Sequence, residues 1–145
     1  MSISATIDIS ILKNDRYHFS VQDLLHEMLR NDWNIKKNGK ICYLPFNDKD
    51  FDWIEEDISE TDFLEIASKK EEKNEIIGVI FYWKNTDIGM SMLLFQDYQI
   101  TFQITINRRK LNTMLDITDV NWYFKNIIVC FDKFKIVEIN FSQTW

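Results

Sequence analysis

A chain of 145 residues with 46% hydrophobic and 14% aromatic content has the length and the apolar mass to bury one core. Eleven Phe, five Trp and twenty-one Ile exclude a disordered chain and favour strands. The net charge of −6 excludes broad binding to nucleic acid or anionic membrane, since both need a basic face.

The opening MSISATIDIS has neither the basic nor the apolar region of a secretory signal. No apolar run approaches the roughly 18–20 residues that span a bilayer. Cys42 and Cys130, without Cys or His neighbours at metal spacing, read as buried thiols in a reducing compartment. A cytoplasmic, monomeric protein is expected.

Residues 3–11 alternate Ile3, Ala5, Ile7, Ile9 and Ile11 against Ser4, Thr6, Asp8 and Ser10, the period of a strand with one wet face. After the polar turn KNDRY, Ser20 is placed as a helix N-cap with Asp23 three residues on. Val21, Leu24, Leu25, Met28 and Leu29 then form a core-facing stripe, and the helix is expected to stop near residues 31–34. Asn38-Gly39 lies between two extended runs and predicts a hairpin, which Pro45 closes.

Residues 47–62, NDKDFDWIEEDISETD, hold eight carboxylates against Lys49 alone. The stretch carries −7 and the whole chain −6, so everything outside it sums to +1. Ser59 or Asp62 is expected to cap a short helix bearing Phe63, Leu64, Ile66 and Ala67, with KKEEKNE as its solvated end. IIGVIFYW (76–83) reads as a central strand, NTDIG as a turn and MSMLLF as the next strand. Tyr98, Ile100, Phe102, Ile104 and Ile106 alternate with polar residues and complete an antiparallel meander, with NRRK as its basic turn.

Thr118 is the expected N-cap of a helix carrying Val120, Tyr123, Phe124, Ile127, Ile128, Phe131 and Phe134, and KIVEINF (135–141) is the last strand. The whole, residues 1–145, reads as a single α+β domain: a mainly antiparallel sheet with two longer helices packed on it. Ile7, Ile9, Leu25, Met28, Val79, Phe81, Phe102, Ile104, Phe124, Ile128 and Phe131 are the expected core.

Catalytic chemistry finds no foothold in the sequence. HEMLR (26–30) starts like a zinc-protease helix, but Arg30 stands where the second histidine must be; His18 has no patterned partner. Gly39, Gly78 and Gly89 are isolated, so no phosphate-cradling loop exists. Asp48, Asp50 and Asp52 match positions one, three and five of a calcium loop, yet Trp53 replaces its glycine and Ser59 its glutamate. The expectation is a protein that is not an enzyme and uses no metal or cofactor.

The acidic stretch admits two readings. A charge run is most often a solvated connection. Here Phe51, Trp53, Ile54 and Ile58 are threaded through it, and carboxylates beside an aromatic anchor suit a protein–protein interface. The residues expected to touch a partner are Asp48, Asp50, Asp52, Trp53, Glu55, Glu56, Asp57, Glu60 and Asp62.

In single-domain size, β-first α+β order and the closing DITDVNWYFKNIIVCFDKFKIVEINF, the chain resembles bacterial toxin-immunity proteins of the contact-dependent growth-inhibition type. That resemblance implies binding and neutralising one cognate toxin domain, most often a nuclease, in the producing cell's cytoplasm, without direct contact to nucleic acid or membrane. A secretion chaperone for an effector is one alternative, although such chaperones open with a helix. A small-molecule-binding or enzymatic domain with a pocket between sheet and helices is the other.

Overall fold

The computed structural model describes residues 3–112 and 114–145, with eleven strands and three α-helices among them. In chain order they are β1 (Ser4–Leu12), α1 (Val21–Arg30), β2 (Trp33–Asn34), β3 (Lys36–Lys37), β4 (Lys40–Tyr43) and β5 (Ile54–Glu56). There follow α2 (Glu60–Glu72), β6 (Ile77–Trp83), β7 (Gly89–Leu94), β8 (Gln99–Ile106), β9 (Lys110–Asn112), β10 (Ile117–Thr118), α3 (Val120–Ile128) and β11 (Lys135–Thr144). A single 3-10 turn, Val129–Phe131, extends α3.

The main sheet runs β11-β1-β8-β7-β6-β4-β3, with β2 bonded to β6 and β5 to β4, and every pairing is antiparallel. Alternation decides which face is covered. Ala5, Ile7 and Ile9 share one face with Ile100, Phe102, Ile104, Met92, Val79 and Tyr43, and all are buried. The helices lie on that face: Phe63 of α2 meets the Tyr43 ring edge-on at 5.4 Å, and Phe131 meets Phe102 at 6.2 Å. On the opposite face Ser10 donates to Gln99 and Thr101 donates to Asp8, both at 2.6 Å, so polar side chains pair across strands where no helix covers them. This is an α+β fold of two layers.

Local signals account for most element ends. Ser20 Oγ accepts from the Asp23 N–H and opens α1, and Ser59 Oγ accepts from the Asp62 N–H and opens α2. Asn38 and Gly39 both take positive φ, +52° and +78°, the backbone a two-residue hairpin requires.

Three expectations shift. The helix expected to be short, α2, is the longest at 13 residues, against 10 for α1 and 9 for α3. Thr118 does not cap α3; it belongs to β10, and Asp119 takes the cap by accepting from the Trp122 N–H. Phe124 and Ile128 are half-buried against the core, while Tyr123, Ile127, Cys130 and Phe131 fill it, because α3 presents the 123–127 stripe inward and then tightens into its 3-10 turn. The other nine expected core residues are buried.

One end of the core is held by aromatic rings. Trp33 is fully buried, its Nε1 donates to the Asn126 carbonyl at 3.0 Å, and its ring meets Trp83 and Trp122 edge-on at 5.1 and 6.1 Å. This ties β2, β6 and α3 together. Trp33→Phe loses ring volume and the indole bond to the Asn126 carbonyl, so denaturant unfolding should show a loss of about 2–4 kcal/mol. A loss below half a kcal/mol, with the near-ultraviolet dichroism of the cluster unchanged, would contradict this packing.

Candidate interaction surface at the β5 edge

The acidic stretch is not an unstructured connection. It leaves β4 at Leu44, turns through residues 45–53, returns as β5 against β4, and enters α2. Pairing of Tyr43 with Ile54 and Cys42 with Glu55 sets its side-chain alternation. Ile54 therefore points to the helix side, where it and Ile58 pack on the core, and Glu55 points to the bare side.

Trp53 lies on the bare side. Gly78 of β6 faces the same way, and a Cβ there would stand 3.0 Å from the Trp53 ring and 2.7 Å from Leu44. The glycine is thus a seat for Leu44, which is buried, and for the end of the half-buried indole. The aromatic most open to solvent in this stretch is Phe51, at 45% exposure, in a left-handed backbone conformation with φ +56°. Phe46 is also exposed, with Lys73 Nζ 5.4 Å from its ring centre.

Two of the eight carboxylates accept hydrogen bonds within the chain, and two more stand at a helix start. Asp48 accepts from the Phe51 and Asp52 N–H groups at 3.0 and 2.8 Å, closing the turn. The Tyr43 hydroxyl donates to Glu56 at 2.9 Å, and its own pKa is pushed up to about 12 by burial and by that carboxylate. Glu60 and Asp62 stand in the first turn of α2, where the helix dipole favours negative charge. The remainder, Asp50, Asp52, Glu55 and Asp57, are exposed. Among the described residues none of the eight has an ion-pair partner within 4 Å.

Several basic side chains elsewhere are paired within the chain. Arg30 and Lys133 both clamp the buried Glu27, at 2.7 and 2.9 Å, and hold its carboxyl below the usual range. Arg108 and Lys110 clamp Asp116 at 2.7 and 2.9 Å, and lower it likewise. Arg108 also donates to Thr118, which with Gln143 ties the small β9–β10 sheet to the end of β11. These four cations are paired within the chain, whereas the carboxylates around β5 have no ion-pair partner among the described residues.

The root of the stretch is fixed by a residue the charge pattern conceals. Lys70, inside the run expected to be solvated, is 1% exposed, and its Nζ donates to the Leu44 and Pro45 carbonyls at 2.8 and 2.9 Å. Its neighbour Glu71 accepts from the Val21 N–H at the start of α1. No signal in KKEEKNE distinguishes this lysine from its solvated neighbours. Only the i, i+3 and i, i+7 spacing from Ala67 and Phe63 marks its face.

His18 and His26 are both exposed. No group of three or more His, Cys, Asp or Glu side chains able to hold a metal occurs among the described residues, and no helix there is long and apolar enough to cross a membrane. Beside β5 on the bare face, an open cleft of about 360 Å³ is lined by Lys37, Lys40, Cys42, Glu55 and Tyr82. No protein-family model, curated protein or solved structure matches the chain.

Burial lowers the Lys70 pKa from its ordinary 10.5, with Glu75 and Asp48 opposing the shift. The unfolded chain then binds more protons between the folded value and 10.5, so this group makes stability rise with pH in that window. Cys130 and Tyr43 act in the opposite sense, because burial raises both to about 12. The test is therefore the difference between wild type and Lys70→Met. The variant should be less stable at neutral pH, and the gap should widen as pH rises toward 10.5. A gap that narrows would show that the Lys70 charge is favoured by folding.

Proposed function

We propose that this chain is a non-catalytic immunity protein that binds and neutralises a cognate, basic toxin domain, of nuclease type, in the cytoplasm. The observation that carries the reading is the charge at β5: Asp50, Asp52, Glu55 and Asp57 are exposed and unpaired beside an exposed Phe51, while the cations clamped at Glu27 and Asp116 are taken internally. Like charges held together cost the free protein stability, and a cationic partner relieves that cost. Long-range attraction brings a basic surface to the edge, and the desolvated aromatic then slows its release. Blocking a site needs no nucleophile, metal or cofactor.

The proposed partner surface comprises Asp48, Asp50, Asp52, Trp53, Glu55, Glu56, Asp57, Glu60 and Asp62, with different roles for each group. Asp50, Asp52, Glu55 and Asp57 face the partner. Asp48, Glu56, Glu60 and Asp62 also hold the turn and the helix start. Trp53 contributes its exposed half, and Phe51 is the second apolar anchor.

The test is co-expression with the carboxy-terminal domain of the protein encoded immediately upstream, read as survival of the producing cell. Wild-type protein should protect. Charge reversal at Asp50, Asp52 and Glu55 together should abolish protection while the melting temperature stays level or rises, since self-repulsion is relieved. Protection undiminished by that triple change would overturn the role of the acidic edge.

The two aromatics should separate. Phe51→Ala should speed dissociation, costing about 2 kcal/mol of binding with stability unchanged. Trp53→Ala should lower the melting temperature, because it empties the seat on Gly78. If Phe51→Ala binds as wild type while Trp53→Ala remains fully stable, these two assignments are wrong.

A further inference from the structure

The two edges of the main sheet are built differently. β5 is three residues long and presents the exposed Glu55 and Glu56 next to Asp52 and Asp57, and like charges on an edge repel an incoming copy of the same strand. β11 is ten residues long, is bonded to β1 alone among the described residues, contains no proline, and carries one lysine and one glutamate, Lys135 and Glu138. An edge of that length and charge balance is a template for another strand.

Its side chains fix the register such a partner must take. Opposed residues in an antiparallel pair lie on the same face of the sheet. Ile139 and Phe141 pair with Ile9 and Ile7 on the helix side, and Gln143 pairs with Ala5; Asn140 and Ser142 pair with Asp8 and Thr6 on the bare side. Between Ser10–Glu138 and Ile11–Ile136 the register slips, so Val137 is the extra residue of a bulge and residues 138–144 are the regular stretch. Bonds from the β9–β10 sheet reach this strand at the Gln143 side chain and leave its main-chain edge alone.

We infer that a second copy of this chain pairs antiparallel along β11, on a two-fold axis at Phe141. That axis uses the whole regular stretch, setting Asn140 opposite Ser142, Ile139 opposite Gln143 and Glu138 opposite Thr144. It brings no carboxylate opposite another. It also brings Val137, 63% exposed, opposite Trp145, 61% exposed, so the two most exposed large apolar side chains at the strand's ends cover each other in the pair. The half-buried Phe141 meets its own copy. β11 and β5 lie at opposite ends of the sheet, so the acidic edges of the two copies point outward and away from each other. The sequence alone favours a monomer; the free edge favours a pair.

Sedimentation over a concentration series tests this with the intact chain of 17.5 kDa. Wild type should reach twice the chain mass as concentration rises. Asn140→Lys with Ser142→Lys changes two exposed residues and sets lysine against lysine twice across the axis, whereas within one chain position 140 lies beside Asp8. This variant should stay at the chain mass with unchanged circular dichroism. Wild type at the chain mass throughout, or a variant that pairs as wild type does, would overturn the inference. Hydrogen exchange on wild type needs no variant. The amides of residues 138–144 that point away from β1 should be protected at high concentration and lose that protection on dilution; fast exchange of those amides at every concentration would also overturn it.

Discussion

The structure depends on one constraint: a nearly continuous antiparallel sheet has one strongly apolar face, and the helices together must cover it. Period-two alternation in β1, β7 and β8 puts Ile, Phe and Met on that face and leaves Ser, Thr, Asp and Gln on the other, with Leu12 and Leu93 the apolar exceptions. The covered side then determines where function can lie. The bare face is satisfied by its own cross-strand pairs, and the two edges carry what is left over.

Lys70 links that constraint to the acidic surface. A cation on α2 bonded to the carbonyls of Leu44 and Pro45 holds the exit of β4, and therefore the return of the chain as β5. Burying the charge is costly, but both acceptors would be orphaned without it. Gly78 makes the complementary contribution from the other face by leaving room for Leu44 and Trp53. An acidic loop that repels itself is kept in one place by contacts made around it, which would pre-organise the proposed partner surface.

Wherever one strong local signal sufficed, the sequence was legible. Alternation located β1 and β8, Ser20 and Ser59 located two helix starts, and Asn38-Gly39 located the hairpin. Elements that exist only through distant pairing were not legible. Ile54–Glu56 reads as part of a charge run, and it is a strand because β4 lies beside it. The β9–β10 pair has no run long enough to show a period, and it displaced the start of α3 by one residue, from Thr118 to Asp119. In α3 the apolar residues cover so much of the helix that Phe124 and Ile128 compete with Tyr123 and Ile127 for the inward stripe, and only the packed core decides. The candidate surface followed the same rule: its charge was legible, but which carboxylates were already occupied was not.

The central claim, that unpaired carboxylates at the β5 edge exist to attract a cationic partner, is tested most directly by the association rate with the proposed basic toxin domain, measured by stopped flow over a range of ionic strength. Screening acts on encounter over a distance of about 10 Å at 0.1 M salt, so the account predicts a rate that falls steeply as salt is added. A rate that is flat, or rises, with ionic strength would contradict it.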